Sequence, residues 1–348
     1  MRLVGRWPQR LSPWLGVGVG LLAAALVAGC SPELPQTTLH PTTDFGASID
    51  HLFRSILAWE IGIFVVVEAL LIFAVLRFRK PKAAPAGREP EQVHGHTGLE
   101  IAWTLVPAII LVFIGVPTIY TIFRTQAKPP ADSMEVDVIG HQWWWEFRYP
   151  GQGVVTAYEL HLPQGRPVHF VLTSADVIHS FWVPKLGGKR DVIPTRTNHL
   201  WFTPDSTGTY PGQCAEFCGE SHANMRLLAV IEPPDAFAAW VAAQKSPALA
   251  PPPGDSLALA GADIFKQPQH LCITCHTVNG VSGGLIGPNL SHVGSRHAIA
   301  SGVLANNPEE IARWLSGPAA AKPGAQMPTL PLSRDEKRAL AAYLTALR

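Results

Sequence analysis

Four of the five cysteines stand in two close pairs, and each pair lies beside other residues that can bind metals. The pairs are Cys214 with Cys218 and Cys272 with Cys275, while Cys30 stands alone. This arrangement differs from a disulfide framework, although small-loop disulfides in an oxidising compartment are the alternative. The neighbouring residues favour cofactor sites for both pairs.

The second pair belongs to the sequence Cys-Ile-Thr-Cys-His, which ends at His276. In an exported chain this sequence indicates a c-type haem, whose porphyrin is bonded to both thiols and whose iron is bound by the histidine. Met327 is the only methionine within residues 257–348. We therefore predict Met327 as the opposite iron ligand, which would raise the reduction potential. The alternatives are an open position or one of three histidines, namely His270, His292 and His297.

The first pair lies in a loop with four possible metal ligands, which are Cys214, Cys218, His222 and Met225. Thiolate, imidazole and thioether groups together favour copper among the common metals. Two thiolates on one loop can bridge two copper ions if a second imidazole arrives from elsewhere, and His179 is the candidate. A zinc site with two cysteines and two histidines, or a disulfide, is the alternative.

The composition indicates that part of the chain lies in a lipid bilayer. Of the 348 residues, 47% are hydrophobic and only 15% are charged, which is low for a wholly soluble protein. The 27 Lys and Arg residues nearly balance the 26 Asp and Glu residues. Nothing in this balance marks a nucleic-acid binder, so we expect a membrane and no nucleic acid.

The first residues have the pattern of a secretory signal, with three arginines ahead of an apolar run over residues 11–28. The run closes with Leu-Val-Ala-Gly-Cys, which resembles a bacterial lipobox. We predict that residues 1–29 are removed and that Cys30 becomes the lipidated first residue of a periplasmic segment over residues 30–50. An ordinary signal peptide with an incidental cysteine is the alternative.

Two further apolar stretches, within residues 51–78 and 99–123, are each long enough to cross a bilayer as a helix. The loop between them is rich in Lys and Arg, so the positive-inside rule places it in the cytoplasm. We predict a transmembrane hairpin over residues 51–128 with both ends in the periplasm. Glu60 and Glu68 lie inside the first stretch, and the sequence assigns them no function.

The remaining sequence divides into two domains and a linker. Residues 133–234 have short alternating runs between Pro and Gly turns, which predict a small β-sandwich or barrel. Residues 245–256 are Pro-rich and predict a semi-rigid linker. Residues 257–348 have helical periodicity at both ends, with Ser333 as N-cap of the last helix and Glu336 three residues on.

These motifs resemble known families over nearly the whole chain. The copper loop, the helix sequence Leu-Glu-Ile-Ala-Trp-Thr-Leu-Val-Pro over residues 99–107 and the run Gly-His-Gln-Trp-Trp-Trp over residues 140–145 are similar to bacterial cytochrome c oxidase subunit II. The segment Gly-Pro-Asn-Leu over residues 287–290 and the Met-Pro pair resemble a class I cytochrome c. The resemblance implies a multi-domain chain: a two-helix transmembrane hairpin, an all-β cupredoxin-like copper domain and an all-α class I cytochrome c domain.

The resemblance also implies roles for single residues. It implies that a dinuclear copper A centre is held by His179, Cys214, Cys218, His222, Met225 and the backbone carbonyl of Glu216. Trp143 is implied as the site of electron entry to the copper, and the Pro288 carbonyl as a partner of His276. Glu100 is implied as an entry for proton uptake, although a carboxylate there can simply favour the helix N-terminus. Trp144 and Trp145 can be explained without a functional role, as residues that pack in an interface or in the core.

The function implied is that of the electron-transfer subunit of a proton-translocating cytochrome c oxidase in the bacterial inner membrane. Electrons would pass from a periplasmic donor, a soluble or membrane cytochrome c or similar protein, via the haem and the copper pair to subunit I, which reduces oxygen to water. Subunits I and III would be its membrane partners. The alternatives are the electron-input subunit of a nitric oxide reductase and a stand-alone membrane-anchored carrier, which the two helices and Glu100 disfavour. A nitrous oxide reductase would need a large catalytic domain.

We expect the mature chain to begin with a lipidated Cys30, because the lipobox-like sequence ends there. Intact-mass analysis of the purified protein should give the mass of the chain from Cys30 plus its acyl groups. A chain that begins at Met1, or one with an unmodified Cys30 at its N-terminus, would contradict this prediction.

Overall fold

A computed structural model describes residues 18, 20, 21, 34–79, 95–248 and 251–348. Cys30, nearly all of the predicted signal peptide, most of the basic loop and two residues of the predicted linker lie outside these ranges. The described residues form a helical hairpin, a β-sandwich and a small helical domain, as the sequence predicts.

The hairpin consists of α1 (Asp44–Phe78) and α2 (Thr97–Thr125). Each helix contains an apolar stretch long enough to cross a membrane, and none of that stretch is buried within the described protein. The helices contact each other through stacked rings of Trp59 and Phe113, whose centroids are 5.9 Å apart. Their apolar side chains therefore face outward, as a bilayer requires.

Ten strands between residues 134 and 232 form two five-stranded sheets. They are β1 (Met134–His141), β2 (Trp144–Tyr149), β3 (Val154–Ala157), β4 (Glu159–Pro163), β5 (Val168–Ser174), β6 (His179–Trp182), β7 (Arg190–Val192), β8 (Asn198–Phe202), β9 (Gly208–Cys214) and β10 (Arg226–Glu232). The first sheet has the order β3-β2-β1-β5-β8 and the second the order β4-β10-β9-β6-β7. A short 3-10 helix (His222–Asn224) lies between β9 and β10.

The two sheets enclose one aromatic core. Along β1 and β5, alternate residues are buried, as the period of two in a strand requires. Phe181 of the second sheet contacts Trp145, Phe147 and Phe170 of the first, with ring centroids 5.7, 6.4 and 5.8 Å apart. Helix α3 (Pro234–Lys245) follows β10 and packs Trp240 on His161, with ring centroids 4.2 Å apart. The sandwich is thus a rigid support for the loops at its end.

The helical domain is built from α4 (Ser256–Lys266), α5 (Cys272–Cys275), α6 (Pro308–Ser316), α7 (Pro318–Ala321) and α8 (Arg334–Ala346). Two short hairpins join β11 (Thr277–Val278) to β12 (Ser282–Gly283) and β13 (Ala298–Ile299) to β14 (Leu304–Ala305). Two 3-10 turns (Pro268–His270 and Val293–Ser295) complete the domain. Ser333 and Glu336 form a capping box at α8, which confirms the predicted start of this helix.

Helices α4 and α8 cross closely at Gly261. A Cβ atom built on Gly261 would lie 2.0 Å from the Ala339 carbonyl oxygen and 2.8 Å from Tyr343 Cβ. The first of these atoms is backbone and cannot move aside as a flexible side chain would. The close crossing of the two helices that frame this domain therefore depends on glycine at this position.

We expect Gly261→Ala to destabilise the helical domain, because the added methyl group overpacks the crossing by roughly 1–3 kcal/mol. The unfolding temperature of a domain of this size should fall by about 4–8 °C per kcal/mol. Calorimetry of the purified protein measures this change. Gly254→Ala is the matched control, because a Cβ there meets nothing within 4 Å. Equal unfolding temperatures for the two variants would contradict the prediction.

Candidate functional site

The thiols of Cys214 and Cys218 lie side by side at one end of the sandwich. Cys214 is the last residue of β9, and Cys218 follows in the loop that leads to β10. Their sulfur atoms are 3.8 Å apart, and both residues are 3% exposed. A disulfide bond requires a separation of about 2.0 Å, so the two cysteines are free.

The neighbouring strand β6 brings His179 to this pair. Phe181 pairs with Cys214 in the sheet, so the start of β6 lies beside the end of β9. His179 Nδ1 is 3.9 Å from Cys214 Sγ, and its Nε2 is 2.8 Å from Asp176 Oδ1. The Asp176 carboxylate therefore turns the free ring nitrogen of His179 toward the sulfur atoms, as an outer partner of a metal-binding histidine does. Asp176 stands only three residues before the histidine, but no pattern in the sequence marks it as a partner of the site.

The other predicted ligands surround the same two sulfur atoms. His222 Nδ1 is 3.6 Å and Met225 Sδ is 3.8 Å from Cys218 Sγ. The backbone carbonyl oxygen of Glu216 is 3.2 Å from Cys214 Sγ. Met225 is fully buried, and it directly precedes the first residue of β10. The structure thus brings all six of the predicted copper ligands together.

The two thiols, Cys214 and Cys218, differ in how readily they ionise. A hydrogen bond with Cys218 lowers the pKa of Cys214, and the same bond raises the pKa of Cys218. Burial acts against a charged His179, but hydrogen bonds with Cys214 and Asp176 outweigh it and raise the pKa of this histidine. One thiol therefore ionises readily while the second does not. Ionisation of both requires additional positive charge, such as metal ions.

The set of donor atoms fits copper. Two sulfur atoms of cysteine, two imidazole nitrogens, a thioether and a carbonyl oxygen form a soft set with an emphasis on sulfur. His179, Cys214 and Cys218 already place their ligand atoms close enough together to share one metal ion. A zinc site would use only four of these six groups. The remaining carbonyl and thioether are ligands typical of copper.

A second site is a cavity of about 260 Å³ in the helical domain. Both Cys272 and Cys275 line it, and His276 and Met327 line it as well. Most of the remaining wall is apolar, with Phe265, Leu290, Val293, Ile299, Ile311, Leu315, Leu330, Leu340 and Leu344 among its residues. The cavity therefore combines two thiols for covalent attachment, two candidate iron ligands and an apolar lining that suits a porphyrin.

His276 is held in the orientation that an iron ligand needs. Its Nδ1 is 2.9 Å from the Pro288 carbonyl oxygen, which confirms the contact that the resemblance implies. Burial lowers the pKa of His276, so the ring stays neutral and its Nε2 has a free lone pair. A Cβ atom on Gly287 would lie 2.5 Å from His276 Cε1, so only glycine fits beside the ring.

The candidates for the opposite iron ligand occupy different places. Met327 Sδ accepts a hydrogen bond from Trp314 Nε1 at 3.2 Å. Of the three alternative histidines, His270 is the one that lines the cavity; it is buried, and its Nε2 is 3.7 Å from Glu336 Oε1. His297 contacts Glu159 in the sandwich, and His292 lines a different cavity.

Trp143 lies between the two sites. Its indole Nε1 donates a hydrogen bond to the Cys218 carbonyl at 3.0 Å, and its side chain lines the cavity of the helical domain. Trp144 stacks on His141 with ring centroids 4.2 Å apart, whereas Trp145 is fully buried in the sandwich core. Glu100 belongs to neither site and occupies the first turn of α2, where a carboxylate favours the helix N-terminus.

Three parts of the sequence match known protein families. Residues 41–120 match the transmembrane domain of cytochrome c oxidase subunit II, and residues 154–232 match its periplasmic domain. Residues 258–348 match cytochrome c. The two sites described above thus lie in the periplasmic and cytochrome c parts of the chain.

Individual relatives agree with these matches. The chain is 38% identical to cytochrome c oxidase subunit 2 of Alkalihalophilus pseudofirmus over 330 residues, which cover 92% of this chain and 94% of that protein. It is 36% identical to the same subunit of Bacillus sp. strain PS3, over 78% of this chain and 80% of that one. Among solved structures, the periplasmic domain of subunit II (CoxB) of Bradyrhizobium japonicum is 32% identical; the match covers 33% of this chain and 96% of that one, with a TM-score of 0.33. By sequence, the chain therefore belongs to the family of cytochrome c oxidase subunit II, and it carries a cytochrome c domain at its C-terminal end.

Proposed function

We propose that this chain relays electrons from a reduced periplasmic donor, a cytochrome c or similar protein, through its cytochrome domain and then its copper domain to subunit I. The complex lies in the bacterial inner membrane, with subunit III as a further neighbour. Subunit I reduces oxygen to water and the complex translocates protons, so this chain supplies electrons to a reaction that occurs elsewhere. Family membership supports the oxidase role, and the two sites support the relay.

The six groups around the thiol pair would hold a dinuclear copper A centre in the copper domain. The thiolates of Cys214 and Cys218 would be its central ligands, and His179, His222, Met225 and the Glu216 carbonyl would complete the set. A bound copper pair would supply one-electron transfer with its charge spread over two ions. The protein contributes rigidity, because β6 and β9 carry His179 and Cys214, and the loop with the other ligands is anchored at its two ends by the paired strands β9 and β10. Little of the site then has to move when its charge changes.

The cytochrome domain holds one haem c. Cys272 and Cys275 would attach it, and His276 and Met327 would be the ligands of its iron. A bound haem would supply a second one-electron centre with a raised potential. The Pro288 carbonyl fixes the ring of His276, and the Trp314 indole fixes the sulfur of Met327. These two outer contacts set the orientation and the basicity of the ligand atoms.

The order of transfer is supported by the position of Trp143. This side chain reaches from the wall of the haem cavity to the carbonyl of a copper ligand, Cys218. Only 8% of its surface is exposed, because segments of the cytochrome domain cover it. A soluble donor would therefore meet the cytochrome domain before it met Trp143. Electrons enter the copper domain at Trp143, and their source is the chain's own haem domain.

Two other roles complete the proposal. Glu100 lies at the cytoplasmic end of α2 in the proposed orientation and is exposed, which would allow it to accept protons for uptake by the complex. Lipidation of Cys30 would give the chain a third attachment to the membrane besides α1 and α2.

We expect Cys218→Ser to remove the dinuclear copper signal, because one thiolate cannot bridge two ions at this site. The variant should bind at most one copper ion, as judged by metal analysis and electron paramagnetic resonance. Ala223→Ser is the matched control, since it places a hydroxyl on the same loop at an exposed position. A mixed-valence two-copper resonance that persists in purified Cys218→Ser would refute the assignment.

We expect Met327→Leu to slow oxidation of the soluble donor by roughly tenfold or more. Loss of the thioether lowers the haem potential, and each 59 mV makes a one-electron transfer about tenfold less favourable. The copper signal should stay intact. Stopped-flow measurement of donor oxidation by the purified complex tests this, with Met134→Leu in β1 as the same replacement far from the haem. Unchanged turnover in Met327→Leu, combined with loss of turnover in Trp143→Ala, would show that electrons enter at the copper domain directly.

A further inference from the structure

The backbone carbonyl of Trp143 is a point at which three segments of the protein meet. Lys322 Nζ donates a hydrogen bond to this oxygen at 2.5 Å and is 3.3 Å from the Ala300 carbonyl oxygen. Ser301 Oγ donates to the same Trp143 oxygen at 3.1 Å. The turn between β1 and β2 is thus joined to two separate loops of the cytochrome domain.

Contacts around the Trp143 ring extend this junction. A Cβ atom on Gly324 would lie 2.6 Å from Trp143 Cη2 and Cζ3, so the cytochrome domain places bare backbone against the ring. Ser221, in the copper loop, donates a hydrogen bond to the Pro323 carbonyl. Farther away, His297 binds Glu159 through its backbone N–H and its Nδ1, the latter at 3.0 Å. The two domains are therefore joined by specific contacts at Trp143, at Ser221 and at Glu159.

Lys322 occupies a position that is costly for a lysine. It is 4% exposed, and within the described residues its amine forms no ion pair with a carboxylate. Burial lowers the pKa of this amine to about 7. A buried ammonium group that forms no ion pair is destabilising, and two carbonyl oxygens offset only part of that cost. The buried position is therefore unfavourable for a loop lysine apart from the contact with Trp143, which indicates that this contact is the role of Lys322.

The loop between β13 and β14, which contacts Lys322 and Trp143, has a strained backbone. Ala300 and Ser301, between β13 and β14, have φ angles of 51° and 61°, in the left-handed region that disfavours residues with a Cβ atom. Such conformations persist where surrounding contacts determine them. Here those contacts include the hydrogen bonds to Lys322 and to Trp143.

We propose that Lys322 is a positioning residue that holds the cytochrome domain in one fixed position against Trp143, so that electrons cross between the domains without movement of the linker. This inference rests on the proposed function, because it concerns the same transfer between haem and copper. The copper domain's surface around Trp143 has the chain's own cytochrome domain as its resident partner. The soluble donor docks elsewhere on the cytochrome domain.

The test uses the purified complex with both cofactors in place. A light flash with a photoreductant reduces the haem, and the absorbance of the copper centre is followed at several glycerol concentrations. In the unaltered protein, the transfer rate should not depend on viscosity. In Lys322→Met, it should fall by roughly tenfold to a hundredfold, as loss of a charged hydrogen bond implies, and it should become dependent on viscosity.

A second measurement reports on docking without any electron transfer. Hydrogen–deuterium exchange of residues 298–302 and 141–145 should be faster in Lys322→Met, while the optical spectra of haem and copper stay unchanged. Ser301→Ala removes one of the two donors to the Trp143 carbonyl and should give the same changes to a smaller degree. Lys266→Met is the matched control, since Lys266 is an exposed lysine of the same domain and should leave every readout unchanged.

The outcomes separate the two proposals. If flash-reduced haem passes no electron to copper in the unaltered protein, the proposed route is wrong, and the exchange measurement alone then decides whether Lys322 holds the domains together. If transfer occurs but Lys322→Met changes neither its rate, its viscosity dependence nor the exchange, the positioning role is wrong. A viscosity-dependent rate in the unaltered protein would overturn the fixed docking.

Discussion

Two cysteine sulfur atoms held 3.8 Å apart impose an electrostatic condition on the whole copper domain. Both can carry negative charge only when positive charge lies beside them, because like charges at this separation oppose each other's ionisation. His179 has one ring nitrogen toward Cys214 and a raised pKa, and Asp176 already uses its other ring nitrogen. Bound metal ions would supply the further positive charge, and their binding would then be coupled to the order of the loop between β9 and β10.

The sandwich holds this arrangement in place. The copper loop is anchored at one end by β9 and at the other by β10, and these strands are paired along most of their length. His179 arrives from β6, the other neighbour of β9. Sheet register thus fixes His179, Cys214 and the two ends of the copper loop. An electron-transfer centre with this property needs little reorganisation, which is the physical advantage of placing soft ligands at the end of a packed β-core.

The sequence predicted the parts of this structure that depend on local spacing. The copper loop, the haem attachment sequence, both apolar helices and the capping box at Ser333 are patterns within a few residues of each other. Helix α6 was missed, because it is short and follows a loop without a distinctive pattern. Glu159 and Lys322 were missed for another reason: their roles arise from contacts between residues 138 or 179 positions apart in the sequence. Nothing in Ala-Lys-Pro-Gly distinguishes a buried lysine from the exposed one that such a loop normally contains.

The haem cavity has a wall that belongs to another domain, since Gln142 and Trp143 line it from the copper side. One wall of this cavity is therefore built by the copper domain, so the cavity is complete only when the two domains are in contact. Ser221 of the copper loop is likewise fully buried, and its hydroxyl donates a hydrogen bond to the Pro323 carbonyl of the cytochrome domain. Each site thus takes part of its surroundings from the other domain, and the two sites share one boundary.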